Sequence, residues 1–455
     1  MTARWRVSEP IAYGIDFGTT NSSIAVAYPD RIDVVPVESG SLAEILPSIV
    51  YLHRDRNRAA GREAVEQYLI TGSQGTRCGS CEIADLLDRR GHHRCRQHRP
   101  GGGCQDARLL SGLKSDLANV EFQWTHSWAI DFKIEDLVAV VMSRLKREAD
   151  HATGEDVRRA VIGHPVVFVG AEGREYRKRQ KVAEARLSRA AARAGFEEVI
   201  LLDEPAAAVM GEDLTEGIAL AADFGGGTFD VAVLRFEPDG GEVIGLAGAD
   251  IGGELFDRLL FLEKVAPALH LDDEFETRPG LKREVPNQFR KRLSTLSGLK
   301  VLLADSGSAA MLREFRAAKG GSRLDVVEEI LYGGYAYGFY QSIEAAKIKL
   351  SQSRKASIEF HRPGLDISIP VERAEFEGLI APHMDRVRRE ILTALEVANV
   401  QPDEVNLVLR TGGSSSIPAF VDILEDVFDP GIVQERPVYT TVVNGLATYA
   451  QGEWG

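Results

Sequence analysis

Cysteine is scarce: four residues in 455, all between Cys78 and Cys104. A disulfide framework spread along the chain is excluded by that placement. Positive charge is in deficit, with 54 Lys and Arg against 68 Asp and Glu, a net charge of −14. A broad phosphate-backbone footprint needs clustered cations, so no nucleic-acid partner is expected. No apolar run approaches the ~18–20 residues of a membrane span, and MTARWRVSEP has no apolar core of a secretory leader. The expected setting is therefore cytoplasmic, without membrane contact. Two common nucleotide signatures are missing as well: there is no GxxxxGK[ST] loop and no strand-linked GxGxxG.

What is present is enough apolar material for a real core, 44% of residues, with 27% charged. The length points to two or more lobes. Strand-like and helical stretches alternate, which indicates an α/β class. AVIGHPVVFVG (160–170) reads as a buried strand with Pro at its end. Residues 172–195 read as one long charged helix closed by Gly195, and 327–353 as a helical stretch.

One pattern recurs. DFGTTNSS begins at Asp16 and DFGGGTFD at Asp223, each after an apolar strand and before an alternating one. A spacing of about 200 residues is too long for a solenoid repeat. It implies two similar α/β lobes facing across a cleft, each contributing a hairpin. Glycine turns let backbone N–H groups approach phosphate oxygens. Gly18, Thr19 and Thr20 fit that need in the first turn, and Gly225, Gly226, Gly227 and Thr228 in the second. Asp16 and Asp223, at strand ends, can hold a hydrated Mg²⁺ between them. Phosphoryl transfer is mostly positioning and charge neutralisation, so two turns and two acids make a sufficient core. Each Asp-Phe-Gly alone reads equally well as an ordinary strand-end turn; the pair is far more specific.

IDFGTTNS, LLDEPAAAV, DFGGGTFDVAVL, GADIGGELFD and LRTGGSSSIP occur in this order. Together they resemble the ATPase domain of the 70-kDa heat-shock chaperones, within the actin and sugar-kinase superfamily, from roughly Tyr13 to Ala450. The resemblance implies a two-lobed, actin-like ATPase fold of duplicated ribonuclease-H-like lobes around a central nucleotide cleft. It assigns Asp16, Gly18, Thr19 and Thr20 to a first phosphate loop. Asp223 and Gly225 to Thr228 form the second. Gly252, Gly253 and Glu254 match a turn at the cleft. Glu204 matches the acid that orders the attacking water and the Mg²⁺ shell; read alone, it is a helix-start acid favoured by the dipole. Lys114 resembles the catalytic lysine, which would offset transition-state charge; read alone, it is a surface lysine. Glu344, Lys347 and Ser351 share one helix face and match the ribose and adenine contacts, while Gly412, Gly413 and Ser414 match the adenosine loop.

Two departures stand out. Ile348 and Ser416 occupy positions where the family often has the arginines that sandwich the purine, so base stacking is expected to be weaker. The chain also ends soon after Ala450, which resembles a short branch of the family with the ATPase part alone, unable to grip peptide in the usual way. Residues 71–107 form an atypical stretch rich in Cys, His, Arg and Gly. Three readings stand for it: a disordered basic loop, a reading-frame artefact, or a zinc site from Cys78, Cys81, Cys95 and Cys104 with His92, His93 and His98. Zinc requires four ligands at tetrahedral spacing, which only the first cysteine pair shows.

The expected organisation is lobe I over 1–211, with 38–119 as its outer subdomain, and lobe II over 212–440, with about 252–355 as its outer subdomain. A C-terminal helix over 441–455 returns to lobe I. The expected function is an ATP-binding, Mg-dependent, ATP-hydrolysing member of the chaperone family. It would act as a monomeric two-lobe switch on client or co-chaperone proteins, with ATP/ADP and Mg²⁺ as cofactors. A non-hydrolysing ATP sensor or scaffold is the alternative. A small-molecule kinase is a third reading, but no catalytic-base Asp facing a sugar pocket stands out.

Overall fold

The computed structural model describes residues 8–455, apart from 74–106 and short stretches at 41, 54–55, 123–124, 128–129, 172–175, 213, 239, 297, 300–301, 303–305, 333–334, 363–364 and 438–439. The cysteine and histidine readings for 71–107 fall on Cys78, Cys81, His92, His93, Cys95, His98 and Cys104, which lie outside the described residues.

Two sheets frame the molecule, and they share one topology. In the first, β1 (Ala12–Phe17), β2 (Asn21–Ala27) and β3 (Ile32–Val34) form an antiparallel meander. Parallel strands β4 (Arg159–His164) and β5 (Glu198–Asp203) then add on the other side of β1. In the second, β6 (Gly217–Phe224), β7 (Phe229–Glu237) and β8 (Gly240–Ala249) are the meander. Parallel β9 (Leu407–Thr411) and β10 (Val433–Glu435) extend it beyond β6. Both central strands are nearly continuous apolar runs because both faces of each sheet are covered.

Helices cover these faces. α1 (Ile134–Thr153) buries one apolar stripe and starts where Lys133 N–H donates to Asp136 Oδ2 at 2.8 Å. It stops at Gly154 in the left-handed region. α2 (Tyr176–Arg193) packs on α1 through Ala183, Leu187, Ala190 and Ala191. Two further helices lie between the sheets: short α3 (Glu204–Met210) and α7 (Thr441–Trp454), the latter packing on β1 and β2. Alanines 206–208, 219, 221, 232, 447 and 450 line this layer, so the elements approach closely. A Cβ on Gly445 would lie 1.6 Å from Ala207 O. α4 (Gly253–Leu260), α5 (Ala336–Gln352) and the long α6 (Arg373–Ala398) pack on the second sheet and its outer additions.

Local chemistry shortened two elements relative to the sequence reading. The strand expected over 160–170 ends at His164, because Pro165 has no N–H to give the ladder. The segment after it leaves the first sheet as a crossing loop. The helical stretch read over 327–353 is two helices, Asp325–Tyr332 and α5, with Gly333 and Gly334 in the sequence between them.

Candidate functional site

Both hairpin turns point into one cleft. A Cβ built on Gly226 would lie 2.7 Å from Thr20 Oγ1, and one on Gly227 would lie 2.7 Å from Thr19 Oγ1. The threonines of the first turn therefore face the glycines of the second directly. Each turn is braced differently. Ser48 holds the first: its Oγ donates to Gly18 O at 2.8 Å, its N–H donates to Thr20 O at 2.8 Å, and its hydroxyl pairs with Ser22. The second is held by the start of α4, where Gly253 N–H donates to Gly225 O at 3.1 Å and Glu254 N–H to Gly226 O at 2.8 Å. That approach requires Gly252, since a Cβ there would sit 2.4 Å from Gly226 O. Ser414 completes the bracing, with Oγ donating to Gly225 O at 2.9 Å and N–H to Phe224 O at 2.8 Å. Gly412, at φ +88°, makes this possible; a Cβ on it would strike Asp223 Oδ1 at 2.4 Å.

Acids crowd the floor. Asp16 and Asp223 occupy matching places, the penultimate residue of β1 and of β6. Partial burial pushes Asp16 up to about 8, with Glu204 and Asp223 pushing the same way and Lys114 opposing. Asp223 is likewise held at about 8 by burial, Glu204 and Asp230. Lys114 acts on these acids together. Lys114 Nζ donates to Glu204 Oε1 at 2.5 Å, and both side chains are more than nine-tenths buried. Burial works against the ammonium, but Glu204, Asp16 and Asp230 together raise its pKa, so it stays charged. A surface lysine is thereby ruled out for position 114.

Asp230 carries more than the sequence suggested. It is buried, lies opposite Asp223 in the β6–β7 register, and is pushed up to about 7 by burial, partly offset by a hydrogen bond from Thr228. Its Oδ1 accepts from Val167 N–H at 3.1 Å. Val167 belongs to the crossing loop, so this carboxylate ties the first lobe to the second. Neither Asp230 nor Ser48 was singled out from sequence. The repeat held a signal for Asp230: position 7 after Asp16 is Ser23, whereas position 7 after Asp223 is a second carboxylate.

Towards the outer side of the cleft, Lys347 on α5 donates to Gly253 O at 3.0 Å and Asp257 Oδ2 at 2.8 Å. Burial keeps Asp257 up at about 6 in spite of that lysine. Glu344 is half-buried one helical turn before Lys347, and Ser351 is half-buried one turn after it. Ile348 is 53% exposed, Ser416 is exposed, and Gly413 faces open space. Glu254 is solvent-accessible at the start of α4. Among the described residues, no three Asp, Glu, His or Cys side chains converge tightly enough to enclose a bare metal ion.

The family model for "Hsp70 protein" matches residues 12–325 and 338–442. The chain belongs to the Hsp70 family. Its two equivalent sheets with helices between them are the actin-like, two-lobed fold of the Hsp70 ATPase domain. Among Hsp70 relatives, it is 23% identical over 430 residues to the "Chaperone protein DnaK" of Thermosipho melanesiensis, covering 91% of this chain and 54% of that protein. The "Chaperone protein DnaK" of Thermosipho africanus is 24% identical over 427 residues, with the same coverage. The "Heat shock 70 kDa protein" of Emericella nidulans is 26% identical over 436 residues, 92% of this chain and 54% of that one. The chain thus spans about half the length of the Hsp70 relatives it matches.

Proposed function

We propose that this chain binds ATP between the two hairpin turns and hydrolyses it, acting as a nucleotide-driven switch between two lobes. The observation that carries the reading is the face-to-face packing of Thr19–Thr20 on Gly226–Gly227 above Asp16, Asp223, Glu204 and the buried Lys114. Backbone N–H groups and threonine hydroxyls at such turns suit phosphate oxygens. The donor set fits Mg²⁺ carried in with the phosphates. Burial and the neighbouring acids hold the Asp16 and Asp223 carboxyls at about 8, so a bound cation would be favoured beside them, and among the described residues no bare-ion cage competes. When bound, Mg²⁺ would supply that charge and polarise the transferred phosphoryl group, with Asp16 and Asp223 holding it through water.

The chain's own residues would do the rest. Thr19, Thr20 and Gly225 to Thr228 orient the phosphates, and Lys114 neutralises charge as it builds up. Glu204, the first residue of α3, orders the attacking water. Gly252, Gly253 and Glu254 close the turn. Glu344, Lys347, Ser351, Gly412, Gly413 and Ser414 face the nucleoside. On this reading, lobe I is 1–211, lobe II is 212–440, and the helix over 441–455 returns to lobe I. Client or co-chaperone proteins, a monomeric state and a cytoplasmic setting belong to the same proposal. Among the described residues, no helix is long and apolar enough to cross a membrane.

A second reading, a non-hydrolysing ATP sensor, draws on one observation: Lys114 and Glu204 are paired with each other at 2.5 Å, which engages both proposed catalytic groups. Turnover of radiolabelled ATP by the wild type, Asp223→Asn and Lys114→Ala separates the two. Mg-dependent release of phosphate that both variants lose supports hydrolysis. Wild-type release no faster than that of Asp223→Asn, with ATP still bound, leaves the sensor.

A further inference from the structure

α2 is cationic out of proportion to the chain. Seven of its 18 residues are Lys or Arg and only Glu184 is acidic, in a protein of net charge −14. Like charges at i, i+4 spacing repel, so this density costs helix stability. Three of these cations have structural employment. Arg186 Nη1 and Nη2 donate to the carbonyls of Leu117, Asn119 and Phe122, each at 2.8 Å, which fixes the segment following Lys114. Arg179 donates to Gly170 O at 2.7 Å, and Arg193 pairs with Asp136 at 3.3 Å. Arg189 is engaged too, its Nε donating to Glu135 Oε1 at 3.2 Å. Arg177, Lys178, Lys181 and Arg189 flank Val182 and Ala185 around an open groove of about 510 Å³. Arg177 and Lys181 have no ion-pair partner among the described residues, and both are exposed.

We propose that this groove docks an acidic, aliphatic peptide segment of a partner protein. Arg177, Lys181, Ala185 and Arg189 recur every fourth residue, so they form one stripe along the helix. A floor of Val182 and Ala185 between cations suits a ligand that alternates carboxylates with aliphatic side chains. Nucleic acid fits less well. Its backbone offers no aliphatic surface to that floor, the lining has no aromatic ring for base stacking, and the chain's net charge repels a long polyanion. The inner face of the same helix gives docking a route inward. Tyr176 OH donates to Val166 O at 3.3 Å, and Gln180 Oε1 accepts from Phe168 N–H at 3.3 Å, both on the crossing loop whose Val167 reaches Asp230.

The test is fluorescence anisotropy on the full chain without nucleotide, so it does not depend on ATP turnover. The probes are a labelled peptide alternating Glu and Leu, the same peptide with Ser for Leu, and oligothymidylate. Glu–Leu peptide binding that weakens with salt and falls roughly tenfold or more in Arg177→Glu/Lys181→Glu supports the proposal. The milder Arg177→Gln/Lys181→Gln pair, checked for an unchanged melting temperature, guards against misfolding and should give a smaller loss of the same sign. No binding of the Glu–Leu peptide, equal binding of the Ser peptide, equal or tighter binding of oligothymidylate, or indifference to both variant pairs would overturn it.

Discussion

The two hairpin turns have the same backbone plan and carry different loads. In each, an Asp ends the apolar strand seven residues before its cross-strand partner. That partner is Ser23 in the first turn and Asp230 in the second. The first turn is braced from within its own lobe by hydroxyl groups, Ser48 and Ser22. The second is braced by backbone, at Gly252–Glu254, and uses its extra carboxylate to hold a loop from the opposite lobe. A duplicated fold can therefore keep its geometry while one copy supplies a phosphate turn and the other also supplies the joint between lobes.

The strongest way to break the symmetry is at the paired acids. Asp16→Asn and Asp223→Asn should each lower ATP turnover by about 10²–10³-fold, as loss of a preorganised electrostatic group does. Both should leave the nucleotide-free protein as stable as before or more so, because each removes a carboxyl whose ionisation burial and the neighbouring acids oppose. A drop in melting temperature of nucleotide-free Asp223→Asn would contradict the crowding.

Next comes the backbone bracing of the second turn. Gly252→Ala places a methyl against Gly226 O and should cost about 2–4 kcal/mol in denaturant unfolding. Gly413→Ala, directly before Ser414 but with nothing within 4 Å, should stay within about 0.5 kcal/mol. Equal costs would show that the close approach at Gly252 does not set the turn.

Asp230 sets the pH dependence. Asp16 and Asp223 are held at about 8 and Asp230 at about 7, against ~3.9 for an unfolded aspartate. Between those values the folded state binds more protons than the unfolded one. Without nucleotide and with metal chelated, stability should be highest below about pH 4 in this contribution and decline as pH rises through 7 to 8. Asp230→Asn should flatten part of that decline, since the amide oxygen still accepts from Val167 N–H. Unfolding curves at several pH values, compared between wild type and variant, read the difference. An unchanged slope would mean that Asp230 does not share the strain.

The smaller effects are on the first turn and at the base. Ser48→Ala should cost about 1–2 kcal/mol and loosen ATP binding several-fold, read by calorimetry. Ile348→Arg, an exposed change, should leave stability within about 0.5 kcal/mol. It should tighten ATP binding by roughly two- to fivefold through cation–π contact with the base.

Much of this was legible in the chain. The two turns, their acids and the glycines that permit them are encoded in contiguous residues, and the repeat of strand, turn and strand announced two like lobes. The partners that give those acids their behaviour were not legible. Lys114 meets Glu204 across 90 residues, Val167 meets Asp230 across 63, and Ser48 meets Gly18 across 30. Ser48 and Asp230 looked like any polar strand residues because nothing local distinguishes a serine that braces a turn from one that meets solvent. On α2, the charged character of the helix was plain, but which of its cations reached carbonyls and which faced an open groove depended on what packed beneath.

By itself, then, the sequence determined the turns, the strand alternation and the placement of an acid at each strand end, because these follow from backbone freedom and side-chain period over a few residues. Only the tertiary structure decided that the turns abut, that one buried lysine serves three acids, and that Asp230 joins the lobes. Desolvation and long-range hydrogen bonds exist only when distant segments are brought together, and those are the terms that raise Asp16, Asp223 and Asp230 far above an ordinary aspartate.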